Sequence, residues 1–159
     1  MIRVGILTIS DLGSKGERED TAGKALEERV KEMGGSVDRY EIVPDETSVI
    51  SDRLREWADD AGLEFILTTG GTGFSDRDVT PEATLEVLDK QAPGIPEAMR
   101  AAGLKKTPMA ILSRGVAGIR GRTLIVNLPG SMKGAVESFD AVKEALPHAV
   151  DVILGRPGH

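Results

Sequence analysis

The chain has 159 residues, 40% of them apolar and 29% charged, with no cysteine and a formal net charge of −6. That length fits one domain of roughly 100–200 residues with its own core, so 1–159 is read as a single domain. The missing cysteines exclude a disulfide framework, a thiol nucleophile, a zinc finger and an iron–sulfur cluster. The acidic balance and an aromatic content of 3% count against nucleic acid as a partner.

Two histidines, His148 and His159, leave little material for a Ser-His-Asp triad or a histidine-rich metal site. A metal would need oxygen ligands, which points to magnesium or manganese. No apolar run approaches the roughly 20 residues that span a bilayer, so no membrane partner is expected. Met1–Leu7 enters a strand-like run directly and lacks a small-residue cleavage site; the expected location is the cytoplasm.

Arg3–Ser10 is nearly continuous in apolar residues and reads as a buried strand. Asp11–Asp20, rich in charge and glycine, reads as a loop. Ala22, Ala25, Leu26, Val30 and Met33 repeat at the helical period, so Thr21–Met33 is a helix that Gly34-Gly35 ends. Val37–Val43 is a half-buried strand, and Pro44-Asp45-Glu46 a turn. Val49, Ile50, Leu54, Trp57, Ala58 and Ala61 line one face of the next helix, which stops at Gly62.

Leu63–Thr69 is a third strand that runs into Gly70-Gly71-Thr72-Gly73. Thr80 has the chemistry of an N-cap and Pro81 that of a first helical residue, so a helix covers Pro81–Leu88. A short helix is expected over Pro96–Ala101. Met109–Leu112 reads as a fourth strand and Thr123–Leu128 as a fifth. The last helix follows Pro129-Gly130, with Pro147 kinking or splitting it. Alternating strands and helices make a single three-layer α/β/α domain with a mostly parallel sheet. The fourth-to-fifth connection is too short for a helical crossover, so that pair should be antiparallel.

Ligands of open α/β sheets bind beyond the carboxyl ends of the strands. Those ends carry Ser10-Asp11, Pro44-Asp45-Glu46, Thr69 with the glycine loop, Ser113-Arg114, and Pro129-Gly130-Ser131. Hydroxyls, glycines, carboxylates and arginine together suit a phosphate-bearing ligand with a divalent cation. Glycines let backbone N–H groups approach a phosphate closely. The loop is neither a Walker motif nor GxGxxG, and alone it also reads as a tight turn without a ligand. Asp45 and Asp78, taken singly, read as caps or turn residues. Converging on one glycine loop, they match the one or two carboxylates that a nucleotide's magnesium takes from protein. Arg77, Arg114, Arg120 and Arg122 have the guanidinium geometry for phosphate, and equally serve as solubilising surface.

Taken together, these motifs resemble the molybdopterin adenylyltransferase family of the MogA/MoaB type, which is similar to the G domain of gephyrin. The matching segments are GILTISD (5–11), PDE (44–46), LTTGGTGFSDRDVTPEAT (67–84), PGIPEAMR (93–100) and ILSRGVAGIRGRTLIVNLPGS (111–131). The resemblance implies a step of molybdenum cofactor biosynthesis, the Mg-ATP-dependent adenylylation of molybdopterin with release of pyrophosphate. It implies Mg2+ or Mn2+ with ATP, a homotrimer or hexamer, and a separate protein that inserts molybdate. It makes Asp45 and Asp78 the essential carboxylates and metal ligands. Substrate contacts are implied for Ser10, Asp11, Thr69, Gly70, Gly71, Thr72, Gly73, Ser113, Arg114, Pro129, Gly130 and Ser131. Met132 departs from the family pattern, where proline is frequent. A pterin-binding carrier or scaffold without catalysis is the alternative reading.

Overall fold

The computed structural model describes residues 1–156. Six strands form one sheet in the order β2-β1-β3-β6-β5-β4. Strands β1 (Arg3–Ile9), β2 (Ser36–Val43), β3 (Phe65–Thr69) and β6 (Thr123–Leu128) run parallel. β5 (Ala117–Arg120) is antiparallel to β6 and to β4 (Lys90–Gln91), which blunts that edge with two residues.

The three-layer expectation holds, and strand alternation shows why. On β1, Val4 and Ile6 face one side while Leu7 and Ile9 face the other. On β3 and β6, Phe65, Leu67, Leu124 and Val126 join the first side, and Ile66 and Ile125 the second. A strand buried on both faces must be apolar at successive positions, which is how β1, β3 and β6 read. The first side packs on α2 (Thr21–Glu32), α6 (Met132–Val142) and α7 (Leu146–Ile153) through Leu26, Val30, Phe139 and Val150. The second packs on α3 (Thr47–Arg55) and α4 (Thr80–Val87) through Ile50, Leu54, Ala83 and Val87. Each fully buried Leu, Ile or Phe contributes about 1.5–3 kcal/mol of transfer free energy. Among the described residues, no helix is long and apolar enough to cross a membrane.

Five local expectations are revised. Met109–Leu112 is not a strand but part of a 3-10 turn over Pro108–Leu112. Pro108 supplies no N–H, and Thr107 Oγ1 accepts from the Met109 N–H at 3.2 Å, so the segment starts as a helical turn. Its apolar side chains face outward, Met109 at 63% and Ile111 at 61% exposure. The antiparallel partner of β6 is instead β5, a short and glycine-containing segment. The expected loop at Asp11–Asp20 opens with a single helical turn, α1 (Asp11–Ser14), capped by Ser10 Oγ accepting from Gly13 N–H at 3.0 Å. The helix after β2 turns π-helical over Glu56–Asp60 before Gly62, whose φ of +64° ends it. The expected short helix is the longer α5 (Gly94–Leu104). Pro147 does split the last helix, as α6 and α7 are separate. His159 lies outside the described residues.

Candidate functional site

The parallel strands β1, β2, β3 and β6 bring their carboxyl ends to one rim. Gly70 and Gly71, just beyond β3, have φ of +104° and +70°, which side-chain-bearing residues rarely adopt. Space enforces glycine there as well. A Cβ on Gly70 would collide with the Ile9 carbonyl, and one on Gly71 with Thr80 Oγ1. A Cβ on Gly71 would also lie 3.2 Å from Asp45 Oδ1, and one on Gly73 would lie 2.8 Å from Asp78 Oδ2. Gly130 packs on Gly70, since its Cβ would stand 3.2 Å from the Gly70 Cα. The glycine loop therefore has Asp45 against Gly71, Asp78 against Gly73, and the β6 turn against Gly70.

Thr80 clips this loop from below. It is the first residue of α4 rather than its N-cap, and Val79 takes the cap position without a side-chain bond. Thr80 Oγ1 donates to the Gly70 carbonyl at 2.9 Å, and Thr80 N–H donates to the Gly71 carbonyl at 3.1 Å. A buried carbonyl needs a donor, and the hydroxyl supplies one to Gly70. Below it, Thr84 Oγ1 donates to the Thr80 carbonyl at 2.8 Å and accepts from Asn127 Nδ2 at 3.0 Å. Asn127 also donates to Thr68 Oγ1 at 2.9 Å and accepts from Val116 N–H at 3.1 Å. These buried polar residues join the ends of β3 and β6 to α4.

Asp45 and Asp11 are tied reciprocally. Asp11 N–H donates to Asp45 Oδ2 at 2.9 Å, and Asp45 N–H donates to Asp11 Oδ1 at 3.0 Å. Arg77 adds a fork onto Asp11, both contacts at 3.0 Å, and reaches Glu46 at 2.9 Å. Hydrogen bonds from Arg77 hold the Asp11 carboxyl below the usual aspartate range. Asp45 moves the other way: burial first, then the negative charges of Asp11 and Asp78, raise it above that range. Asp78 Oδ2 accepts from Ser75 N–H at 3.0 Å and Ser75 Oγ at 2.9 Å, which fixes the carboxylate on the loop.

Two hollows open on this rim. One, of about 490 Å³, is bordered by Ser10, Asp11, Asp45, Thr69, Gly70, Gly71, Asp78, Gly130 and Ser131. The other, of about 410 Å³, is bordered by Thr72, Gly73, Ser113, Pro129 and Ser131, with Met99, Met109 and Leu112 supplying apolar wall. Ser131 borders both. Apart from Arg114, the substrate-contact residues singled out in the sequence divide between two adjoining hollows. Thr69 Oγ1 donates to the Pro129 carbonyl at 2.6 Å and so joins the glycine loop to the β6 turn. Ser131 Oγ accepts from Gly134 N–H at 3.0 Å and caps α6.

Arg114 borders neither hollow. Its guanidinium donates to the carbonyls of Gly73 at 2.7 Å and Asp78 at 2.8 Å, and to Glu82 at 2.6 Å. It braces the loop that carries Asp78. Arg120 is taken up by Asp59 and the Val87 carbonyl, and Arg122 by the Leu154 carbonyl. Sequence reasoning passed over Arg18, Glu19 and Asp20, which also border the carboxylate hollow. Asp20 Oδ2 accepts from Thr8 Oγ1 at 2.6 Å and from the Tyr40 hydroxyl, while Oδ1 caps α2 through Gly23 N–H at 2.9 Å. Desolvation and Asp20 push the Tyr40 hydroxyl well above its ordinary range. Asp20 as an N-cap was the available signal for that wall.

Among the described residues, no three His, Cys, Asp or Glu side chains gather in a group able to hold a metal by themselves. Asp45 and Asp78 nevertheless offer two carboxylates to one hollow beside the glycine loop. Magnesium typically binds protein through one or two carboxylates and completes its shell with water and substrate phosphates. The donor set fits that pattern.

Residues 5–148 match a family model described as a probable molybdopterin binding domain. The molybdopterin adenylyltransferase of Helicobacter pylori (strain J99) is 47% identical over 97% of this chain and 89% of its own length. That of Escherichia coli K12 is 43% identical over 91% of this chain and 75% of its own. The crystal structure of the molybdopterin biosynthesis enzyme MoaB from Thermus thermophilus is 58% identical, covers 99% of both chains and superposes with a TM-score of 0.94. A match across most of the chain, with the glycine loop and both aspartates inside it, leaves one conclusion: the chain belongs to the molybdopterin-binding family that includes the molybdopterin adenylyltransferases.

Proposed function

We propose that this chain is a nucleotidyltransferase of molybdenum cofactor biosynthesis that adenylylates molybdopterin with Mg-ATP. A phosphate oxygen of molybdopterin attacks the α-phosphorus of ATP, and the bond from that phosphorus to the β-phosphate bridge breaks. Adenylyl-molybdopterin and pyrophosphate result. The observation that carries this reading is Asp45 against Gly71 and Asp78 against Gly73 of one glycine loop, both bordering a hollow that shares Ser131 with a second.

No protein nucleophile is needed, because a phosphate monoester is anionic at neutral pH. The requirements are in-line positioning and neutralisation of charge. A divalent cation, Mg2+ or Mn2+, held by Asp45 and Asp78 together with substrate phosphates would supply that neutralisation. The Asp11–Asp45 reciprocal bonds fix one carboxylate, and Ser75 fixes the other. The glycine loop lets backbone come close to substrate, and Arg114 keeps it from spreading. The polar hollow suits phosphates; the hollow walled by Met99, Met109 and Leu112 suits the flat ring of a second substrate.

The exposed Ile111, which lines neither hollow, is available for a subunit contact in a homotrimer or hexamer, and sedimentation velocity reads the assembly directly. A cytoplasmic location and a separate molybdate-inserting protein complete the reading. The test is pyrophosphate release from purified protein with Mg-ATP, with and without molybdopterin. Pterin-dependent release supports the transferase. Tight pterin binding without product points to a carrier.

A further inference from the structure

We propose that Arg18 is a phosphate-binding residue of the carboxylate hollow. Every other arginine among the described residues has a hydrogen bond from its guanidinium to a protein acceptor. Arg18 has no hydrogen bond or ion pair, yet it borders the hollow that Asp45, Asp78 and Gly71 also border. It is the one cationic side chain on that wall among the described residues.

The backbone around it is pinned. On one side, Glu17 N–H donates to the Leu12 carbonyl at 2.9 Å. On the other, Asp20 accepts from Thr8, Tyr40 and Gly23 N–H. Two acidic residues that border the hollow beside Arg18 have other partners. Glu19 lies 3.5 Å from Lys24, and Asp20 already accepts from three donors. The loop therefore holds an unpaired arginine on the border of a hollow whose other charged residues are acidic.

A polyphosphate entering that hollow meets carboxylates first. It needs a cation beyond any metal, and guanidinium matches phosphate oxygens with a planar pair of donors. The arginines closest to the loop cannot serve without abandoning Asp11, Glu82 or the loop carbonyls. Arg18 breaks nothing to turn inward.

The inference rests on the adenylyl-transfer reading for its ligand, the terminal phosphates of ATP or the phosphate monoester of molybdopterin. Calorimetry on the full chain distinguishes these, using wild type, Arg18→Gln and Arg18→Lys with Mg-ATP, inorganic pyrophosphate with Mg2+, adenosine and molybdopterin. Losing a charged hydrogen-bond pair weakens a phosphate ligand by about tenfold. The expected result is that loss for Mg-ATP and pyrophosphate in Arg18→Gln, no change for adenosine, partial recovery in Arg18→Lys, and a KM for Mg-ATP raised with little change in kcat. Loss confined to molybdopterin also supports Arg18 and assigns the pterin's monoester. Unchanged affinity for all phosphate ligands overturns the proposal, as does equal loss for adenosine or a wild type that binds none of them. If wild type binds Mg-ATP, loses it on Arg18→Gln and yet releases no pyrophosphate, Arg18 stands and the transferase reading falls. Normal turnover in Arg18→Gln with unaltered KM values for both Mg-ATP and molybdopterin does the reverse.

Discussion

Replacing Thr80 with valine isolates the clip beneath the glycine loop. Valine keeps the volume and the methyl packing of a fully buried side chain and removes the hydroxyl that donates to the Gly70 carbonyl at 2.9 Å. No other donor to that carbonyl is present among the described residues. Leaving one buried acceptor without a partner costs about 1–3 kcal/mol. For a domain of this size each kcal/mol lowers Tm by about 2–4 °C, so the middle of that range puts Thr80→Val about 4–8 °C below wild type. The Thr80 N–H to Gly71 bond survives, so the loop loosens without being lost. Turnover should fall by about tenfold or more, because small displacements of positioning groups are costly in rate. Thr80→Ser, which restores the hydroxyl, should recover most of both losses. Differential scanning fluorimetry and pyrophosphate release measure the two effects. A Thr80→Val variant with wild-type Tm and turnover would refute the clip.

The other predictions concern charge. Asp78→Asn should keep the fold, since its amide oxygen still accepts from Ser75, and should reduce turnover by about a hundredfold or more. Circular dichroism paired with the release assay checks this. Asp45→Asn should raise Tm at neutral pH in metal-free buffer. Its carboxyl is pushed up in the fold, so ionising it costs stability: that stability is present below the unfolded value, about pH 3.9, and is lost as pH rises through the folded value. The Tm gain should therefore shrink as pH falls towards about 4, and a gain independent of pH speaks against the burial argument. Asp11 and Glu82 behave oppositely, because Arg77 and Arg114 hold them down. Their stabilisation is present above the unfolded values, about pH 4, and is lost as pH falls through the folded ones. Arg114→Gln should accordingly narrow the acid-side drop in Tm, followed by melting between about pH 2 and 6.

Much of this was legible because the signals were local. Continuous apolar runs marked β1 and β3, and helical spacing of Ala22, Leu26 and Val30 marked α2. The convergence of Ser10, Asp45, Gly70, Asp78 and Ser131 on one rim follows from parallel strand direction, which a βαβ pattern implies. What failed needed tertiary context. Met109–Leu112 has the composition of a buried strand, but Pro108 and Thr107 start a turn and its side chains face outward. β5 offers only Ala117, Gly118, Ile119 and Arg120, too little pattern to read alone. The division of the site into two hollows is a matter of shape, and spacing along the chain carries no trace of it. By residue type Arg114 read equally as a phosphate clamp or as solubilising surface; the structure adds that its donors reach Gly73, Asp78 and Glu82. Arg18 went unnoticed because freedom from partners is visible only once the partners of the other arginines are known.

Whether Asp45 and Asp78 serve adenylyl transfer to molybdopterin is decided by following pyrophosphate and adenylyl-molybdopterin together. The reaction holds Mg-ATP and freshly prepared molybdopterin, with wild type, Asp45→Asn and Asp78→Asn compared side by side. Wild type should form both products in equal amounts and only when the pterin is present, and each folded variant should lose both. Wild-type rates in the two variants would remove the two aspartates from the chemistry, and ATP turnover by wild type that is indifferent to the pterin would contradict adenylyl transfer to molybdopterin.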